Sequence, residues 1–441
     1  MDTIIKSYNP ATGELEGEVG ITPIGQIPQI VANAHAAQKT WAKLSVDQRI
    51  AYLDRATQNA APHGQELTEL LSREMGKDAR RSSGEVNGVI GGTTYMADEV
   101  KEAIQPRTAS GGTIYYAPMG VVAVISPWNY PLAMFNNLMV PALVAGNTVI
   151  LKPSEETPLV AQRYIELLNE ALPENVLQIV HGRKEVGQAL VESDVQMIAF
   201  TGSQAAGRDI MQRAASNVKR LVMELGGNDP MIVLPDANVA QAARYAVAVS
   251  LENSGQMCTA VERIYVHENI QADFEKEVQA IAAQYQIGTW DELQTQVFPI
   301  INDRQRDKII DHIEDAIHKG AEVLVGGTEH PERFVKPTVL TNVPEDALME
   351  REETFGPVVS IAGYKTVDEA IQKANNSIYG LGASVYGKDG VAEVAAQLEA
   401  GMVGINKPAG ANPWVGAKQS GFGYHGSAEG HRQFTQVKVI T

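Results

Sequence analysis

The chain reads as an α/β protein made of two doubly wound units with a small β pairing arm. Three features carry that reading. Short β-rich runs alternate with helical stretches from Val121 to Glu224. A second alternating region begins near Asp229. Two segments far apart in the chain, Gly112–Tyr116 and Gln436–Ile440, both alternate like exposed strands. With 441 residues and 44% apolar content, the chain is also too long for one ordinary core.

The first part reads as helical over residues 24–60 and 64–76. Ile30, Ala34, Ala37, Trp41 and Leu44 recur at helical spacing, as do Ile50, Leu53 and Ala56. From Val121 the period changes. Strands are predicted at Val121–Ser126, Thr148–Lys152, Leu177–Val180, Met197–Phe200 and Lys219–Glu224. Helices are predicted between them at Leu132–Ala145, Pro158–Ala171, around Lys184–Val191, and at Gln204–Ser216. Repeated strand–helix alternation gives a parallel sheet covered on both faces. In the second region, strands are predicted at Met231–Val233, Arg263–Val266 and Glu322–Val325, with helices at Ala237–Glu252 and Ile270–Tyr285. The two units join near Gly226–Gly227. The arm segments are similar enough to pair with each other.

Composition excludes several classes of function. A net charge of −17 repels phosphate backbones and anionic lipid, so neither nucleic acid nor a membrane surface is an expected partner. Cys258 is the only cysteine. An intrachain disulfide and a multi-cysteine metal site are therefore impossible, and no metal is expected. Met1 to Gly20 lacks a basic segment followed by an apolar run. The most apolar long stretch, Pro131 to Gly146, is short and interrupted by Asn136, Asn137 and Pro141. The expectation is a soluble, cytoplasmic protein.

One glycine motif misleads. Gly202 to Gly207 has the glycine spacing of a phosphate loop but runs into Arg208-Asp209 where a nucleoside-triphosphate site needs Lys and Ser or Thr. No GxGxxG fingerprint follows these strands. The helix after Phe200 still offers free N–H groups to a phosphate, or is an ordinary tight turn.

Four places carry potential chemistry. Cys258, in Gly255-Gln256-Met257-Cys258-Thr259, falls on a loop. An isolated cysteine is ordinarily a small buried hydrophobe, but a loop thiol is a nucleophile candidate. Glu224, before Leu225-Gly226-Gly227, ends an apolar strand. Poor solvation there raises a carboxyl pKa and suits a general base; the alternative is a strand-end carboxylate facing water. Asn129, in Pro127-Trp128-Asn129-Tyr130-Pro131, follows a strand end, where open α/β sheets bind ligands. Its amide suits a developing oxyanion, or the turn is merely Pro-bounded. Lys152 and Glu155, around Pro153, suit the two hydroxyls of a ribose, or else cap a helix start.

Together these segments resemble the aldehyde dehydrogenase superfamily. In order stand Asn9-Pro10-Ala11-Thr12-Gly13-Glu14, Pro127–Pro131, Gly146-Asn147-Thr148 and Lys152-Pro153-Ser154-Glu155. Then come Phe200-Thr201-Gly202-Ser203, Glu224-Leu225-Gly226-Gly227, and the cysteine loop 34 residues after Glu224. Glu353-Thr354-Phe355-Gly356-Pro357, Asn375-Asn376, Tyr379-Gly380-Leu381, Lys418 and Ser420-Gly421 complete the set.

The resemblance implies an aldehyde dehydrogenase-like fold: a dinucleotide-binding domain (residues 1–105 and 119–226), a catalytic domain (227–428) and a β oligomerisation arm (106–118 and 429–441). It implies NAD as cofactor and a homodimer or homotetramer. Cys258 becomes the nucleophile, Glu224 the general base and Asn129 the oxyanion donor. Lys152 and Glu155 become adenosine-ribose contacts and Ser203 a pyrophosphate contact. Ser126, Trp128, Thr201, Gly202, Leu225, Glu353 and Phe355 complete the cofactor set. Tyr130, Met134, Asn137, Met257, Thr259 and Trp414 line the aldehyde path. Succinic semialdehyde dehydrogenases usually carry an arginine where Asn137 stands, so neutral aliphatic or aromatic aldehydes are the expected substrates. The alternatives are a succinic-semialdehyde-type enzyme or a coenzyme-A-acylating relative. Glu224 argues for water over coenzyme A.

This chain departs from the pattern in places. The N-terminus is short, as is the loop between Asn406 and Trp414, and Val415 stands where glycine is frequent. Tyr424-His425 replaces an Arg-Glu pair whose Glu lies on a proposed proton route in relatives.

Overall fold

The computed structural model describes residues 3–410 and 412–441, so Ala411 of the loop before Trp414 lies outside the described residues. A hairpin, Ile4–Tyr8 with Leu15–Gly20, precedes the helices. The expected 24–60 helical stretch is two helices, Ile27–Trp41 and Val46–Ala60. The break is set by Ser45, whose side chain accepts from the Gln48 N–H while Gln48 reaches back to the Ser45 N–H. This capping box starts a new helix there.

The first sheet has six strands in the order Gly421–Phe422, Arg220–Leu225, Met197–Gly202, Val121–Ile125, Thr148–Lys152, Leu177–Ile179. All pairs are parallel except the first. Val122 and Val124 join one core cluster while Val121, Ala123 and Ile125 join another. Side chains alternate across a strand, so the sheet is buried on both faces, as near-continuous apolar runs require.

The second sheet has seven strands in the order Glu322–Val325, Thr338–Thr341, Val358–Tyr364, Val261–His267, Asp229–Val233, Gly382–Tyr386, Met402–Ile405. Its pairs are parallel except the edge pair of Glu322–Val325 with Thr338–Thr341. The arm sheet pairs Thr435–Ile440 antiparallel with Gly112–Pro118, which pairs with Arg107–Ala109.

The sequence reading missed the longest helix, Ala79–Ala103. Its buried face is Ser82, Glu85, Val86, Val89, Thr93, Ala97, Val100 and Ala103, too polar and small to show an apolar period. Glu85 explains the polarity. Its carboxylate accepts the Leu132 and Ala133 N–H groups at 2.9 and 3.1 Å, at the start of helix Ala133–Val144. Glu74 does the same for Leu159 and Val160 of helix Pro158–Asn169, at 2.8 Å each, and burial pushes its pKa up to about 7. Carboxylates at helix N-termini satisfy orphan donors and complement the dipole. In this way the N-terminal helices fix the loops that leave the first sheet.

Candidate active site

The carboxyl ends of the parallel strands in the first sheet all open on one edge, where doubly wound sheets bind ligands. Ser126 follows Val121–Ile125, and its hydroxyl is buried without a hydrogen-bond partner. Lys152 ends the next strand. Its ammonium donates to the Pro153 carbonyl at 3.2 Å and lies 3.7 Å from Glu155. Burial pulls the Lys152 pKa down, and Glu155 opposes that shift. Thr201 and Gly202 end the third strand. Ser203 then caps helix Gln204–Ala214, accepting the Ala206 N–H at 3.4 Å.

Asn129 is held by a buried polar network. Its side-chain amide donates to the Gln256 carbonyl at 3.0 Å. Its own carbonyl accepts from Lys77 Nζ at 2.9 Å and from Asn253 Nδ2 at 3.3 Å. Lys77 pairs with Glu85 at 2.7 Å and sits 3.8 Å from the centre of the Tyr130 ring. A buried lysine needs such partners, because desolvation disfavours its charge.

The cysteine loop reaches across from the second unit. After helix Val239–Ser250, three consecutive residues take left-handed backbone: Asn253, Ser254 and Gly255, with φ of 54°, 57° and 71°. Ser254 exchanges two hydrogen bonds with the Phe298 backbone, and Gln256 accepts the Ile301 N–H at 3.0 Å. At Gly255 a Cβ would collide with the Gly356 carbonyl, so the loop seats directly on the Glu353–Gly356 turn. Gln256 is buried, whereas Met257 and Cys258 are partly exposed.

Cys258 Sγ lies 3.8 Å from Glu224 Oε1. Glu224 is 5% exposed. Its Oε2 accepts from Thr201 Oγ1 at 3.1 Å and lies 3.2 Å from His425 Nε2. Burial, then Glu224, Glu353 and Asp229, hold the thiol well above the ordinary range. His425 stacks on Trp414, with ring centres 6.2 Å apart and planes 15° apart. Strand Gly421–Phe422 brings this end of the chain alongside Glu224: Gly421 pairs with it, and a Cβ at 421 would collide with the Met223 carbonyl.

Beside the cysteine loop, Glu353 accepts the Gly227 N–H at 3.0 Å, and burial with the neighbouring Glu262 pushes its pKa up to about 8. Glu262 in turn accepts the Thr354 and Phe355 N–H groups, both at 2.7 Å. The Phe355 ring meets Trp128 edge-on at 5.5 Å. Leu225 is buried, packed where any Cβ at Gly207 would stand.

Ala133, Met134 and Asn137 form one half-buried strip of a helix whose neighbouring residues Phe135 and Asn136 are buried. Tyr130 Oη reaches Met257 Sδ at 3.8 Å, and Thr259 is buried. Contacts therefore join Cys258, Glu224, Thr201, His425 and Trp414 in one series, Tyr130 to Met257, and Trp128 to Phe355. Lys152, Glu155 and Ser203 stand along the sheet edge. The sequence reading did not find Lys77, Glu85 or Glu262, and saw His425 only as a departure from pattern. Among the described residues, no group of three or more His, Cys, Asp or Glu side chains is placed to hold a metal ion. No helix among them is long and apolar enough to cross a membrane.

The aldehyde dehydrogenase family model matches residues 1–440. The chain is 36% identical to the glutarate-semialdehyde dehydrogenase of Pseudomonas putida, over 99% of this chain and 94% of that one. It superposes on the succinate-semialdehyde dehydrogenase of Burkholderia pseudomallei with a TM-score of 0.96 at 34% identity, covering 100% of this chain and 94% of the other. It also superposes on a mutant of aldehyde dehydrogenase C from Pseudomonas syringae in complex with NAD+ and octanal, with a TM-score of 0.96 at 33% identity, covering 100% and 93%. A partly exposed thiol facing a buried carboxylate, on this fold and with these relatives, places the chain in one group of enzymes: it belongs to the aldehyde dehydrogenase family, oxidoreductases that act on aldehydes with a nicotinamide cofactor.

Proposed function

We propose that the protein oxidises an aldehyde to a carboxylic acid with NAD, through a thioester on Cys258 that water resolves. The observation that carries this is the 3.8 Å approach of Cys258 Sγ to Glu224, a carboxylate buried at the end of a sheet strand. The thiolate adds to the aldehyde carbon. Asn129 Nδ2 carries two hydrogens, one of them engaged by Gln256, so the other is free for the oxyanion together with the Cys258 N–H. Glu224 then takes a proton from water, which attacks the thioester and releases the acid.

The dinucleotide, when bound, supplies the hydride acceptor. The residues present fit it: an unpartnered buried hydroxyl at Ser126, a Lys152–Glu155 pair, and a helix start capped by Ser203. In this reading Lys152 and Glu155 hold the adenosine ribose and Ser203 a phosphate. Trp128, Leu225, Glu353 and Phe355 flank the nicotinamide end, and Ser126, Thr201 and Gly202 complete the cofactor set. Residues 1–105 and 119–226 then form the dinucleotide-binding domain, 227–428 the catalytic domain, and 106–118 with 429–441 the arm. The exposed arm residues Tyr115, Val437, Val439 and Ile440 support assembly into a homodimer or homotetramer. A single thiol fits a reducing, cytoplasmic setting.

Glu155 sets cofactor preference. Its charge opposes a 2′-phosphate, and like-charge juxtaposition in a partly desolvated site costs a few kcal/mol, so NAD is favoured roughly tenfold or more over NADP. Steady-state kcat/KM with each cofactor checks this, and equal values refute it.

Neutral aldehydes are the proposed substrates. Met134 and Asn137 line the strip after Tyr130, with Met257, Thr259 and Trp414 completing the walls, and Asn137 offers only a neutral amide. A buried carboxylate without a cationic partner costs roughly several kcal/mol, so succinic semialdehyde falls about tenfold or more behind hexanal and benzaldehyde. The octanal held by the Pseudomonas syringae relative supports this reading. The relatives named for glutarate and succinate semialdehydes favour a second reading, in which the substrate carries a distal carboxylate. A spectrophotometric assay for NADH with the three aldehydes tests the activity and the preference together. No NADH with any of them overturns the activity, and a highest kcat/KM for succinic semialdehyde selects the second reading.

A further inference from the structure

The reading above, on which this inference rests, gives the oxyanion two donors carried by two different units. Asn129 Nδ2 follows strand Val121–Ile125 of the first sheet, and the Cys258 N–H sits on the loop after helix Val239–Ser250. Donors of this kind work only when they are already aimed at the place where charge develops. The Asn129 backbone therefore has to be fixed against the cysteine loop. Residues 126–132, between strand Val121–Ile125 and helix Ala133–Val144, belong to no helix or strand. Their position depends on side chains from elsewhere in the chain.

Lys77 supplies the grip. It follows the left-handed Gly76 that ends helix Gly64–Met75 and stands two residues before helix Ala79–Ala103. Its side chain has no exposed surface, so it touches no substrate. Its ammonium donates to the Asn129 carbonyl at 2.9 Å and to Glu85 Oε2 at 2.7 Å, with the centre of the Tyr130 ring 3.8 Å away. Glu85 completes the clamp, because its Oε1 accepts the Leu132 and Ala133 N–H groups. One ion pair thus holds residues 129–133 at both ends, by a carbonyl at one and two amides at the other. The same helix start reaches the cysteine loop. Arg81 donates to both oxygens of Glu252 at 2.8 Å each. The next residue, Asn253, donates through Nδ2 to the Asn129 carbonyl at 3.3 Å and to the Gln256 carbonyl at 2.9 Å. A buried ion pair adds little net stability, since desolvation offsets the attraction. What this pair fixes is a backbone position.

We propose that Lys77, paired with Glu85, is a positioning residue for the reaction: it sets the Asn129 backbone so that the free hydrogen of the Asn129 amide meets the oxyanion. The benefit falls on the tetrahedral adduct and not on the bound ground state. Losing it therefore slows the chemical step and leaves the affinities for substrate and NAD in place.

The test is a double-mutant cycle between Lys77 and Asn129. Lys77→Met keeps the length of the side chain and removes the donor, but it leaves Glu85 buried without its partner. Lys77→Met with Glu85→Gln is made beside it: the amide oxygen at 85 still accepts from Leu132 and Ala133, and no buried charge is left alone. This second variant carries the test if the first does not fold. The chain is mixed with p-nitrophenyl acetate, and the nitrophenolate burst reports acylation of Cys258. The maximal burst rate should fall at least about tenfold, short of the roughly 10²–10³-fold that loss of a whole oxyanion donor costs. The half-saturating ester concentration and the calorimetric Kd for NAD should stay within about threefold of wild type. In an Asn129→Ala background the same changes should cost less than about twofold, because the amide they aim is gone. An equal loss in both backgrounds marks a general loss of packing and overturns the proposal, as does a wild-type burst rate in Lys77→Met with Glu85→Gln. Asn129→Ala alone separates the layers. A wild-type burst rate there overturns the oxyanion assignment itself, whereas a slowed Asn129→Ala beside unaffected Lys77 variants removes the positioning role alone.

Discussion

Cys258→Ala abolishes aldehyde oxidation and ester hydrolysis together, while NAD still binds. The chain holds no second thiol. The neighbouring Thr259 offers only a hydroxyl, a far weaker nucleophile than a thiol near neutral pH. Removing a nucleophile that acts as one unit with its base costs roughly 10⁴-fold or more in kcat. NADH formation and nitrophenolate release measure the loss, and calorimetric titration with NAD measures the retained affinity. More than trace turnover in the variant excludes Cys258 as the nucleophile. The wild-type thiol also dictates a pH trend. Burial, with Glu224, Glu353 and Asp229 behind it, favours the protonated form. The thiolate fraction, and with it the acylation half-reaction, therefore grows as pH rises and falls as pH drops.

Glu224→Gln separates the two halves of the reaction. An amide keeps the size of the side chain and can still accept from Thr201, but it cannot take a proton from water. The variant completes one hydride transfer per active site and then stalls as acyl-enzyme. Steady-state turnover falls roughly 10²–10⁴-fold, the range for loss of a general base. Rapid mixing with aldehyde and NAD shows a burst of NADH close to one equivalent, and intact-protein mass spectrometry shows the adduct. Normal turnover without an adduct removes Glu224 from deacylation.

The parts of this molecule that were legible in the sequence are those where one short segment carries its own signal. The strands from Val121 to Leu225 are continuous apolar runs because helices cover both faces, and they stand within a residue or so of where periodicity puts them. The arm strands were legible because polar and apolar residue types alternate along Thr435–Ile440, although residues 436–440 are all exposed. Helix Ala79–Ala103 was not, because its three buried valines are interspersed with alanine, threonine, serine and a glutamate that caps another helix. Several strands of the second sheet, such as Thr338–Thr341 and Gly382–Tyr386, are only four or five residues long and fully buried, with no alternation to read. In the site, Cys258, Glu224 and Asn129 were candidates from their places on a loop or at strand ends, and the family resemblance gave them their roles. Lys77, Glu262 and His425 did not, because their roles arise only from partners 52, 92 and 201 residues away.

Gly255 supplies no reacting atom, yet it ties two loops into a single part. Its α-carbon rests on the Gly356 carbonyl with no room for a methyl group. The loop that aims the thiol and the turn that carries Phe355 therefore share one wall, three residues before the sulfur. A side chain at 255 has to push one or the other away. The spacing between the thiol and the Phe355 turn is in this sense a dimension of the backbone, and it is inherited through a position with no chemistry of its own. Loss of activity on changing residue 255 is accordingly a report on alignment, and it carries no information about which groups exchange protons or form bonds.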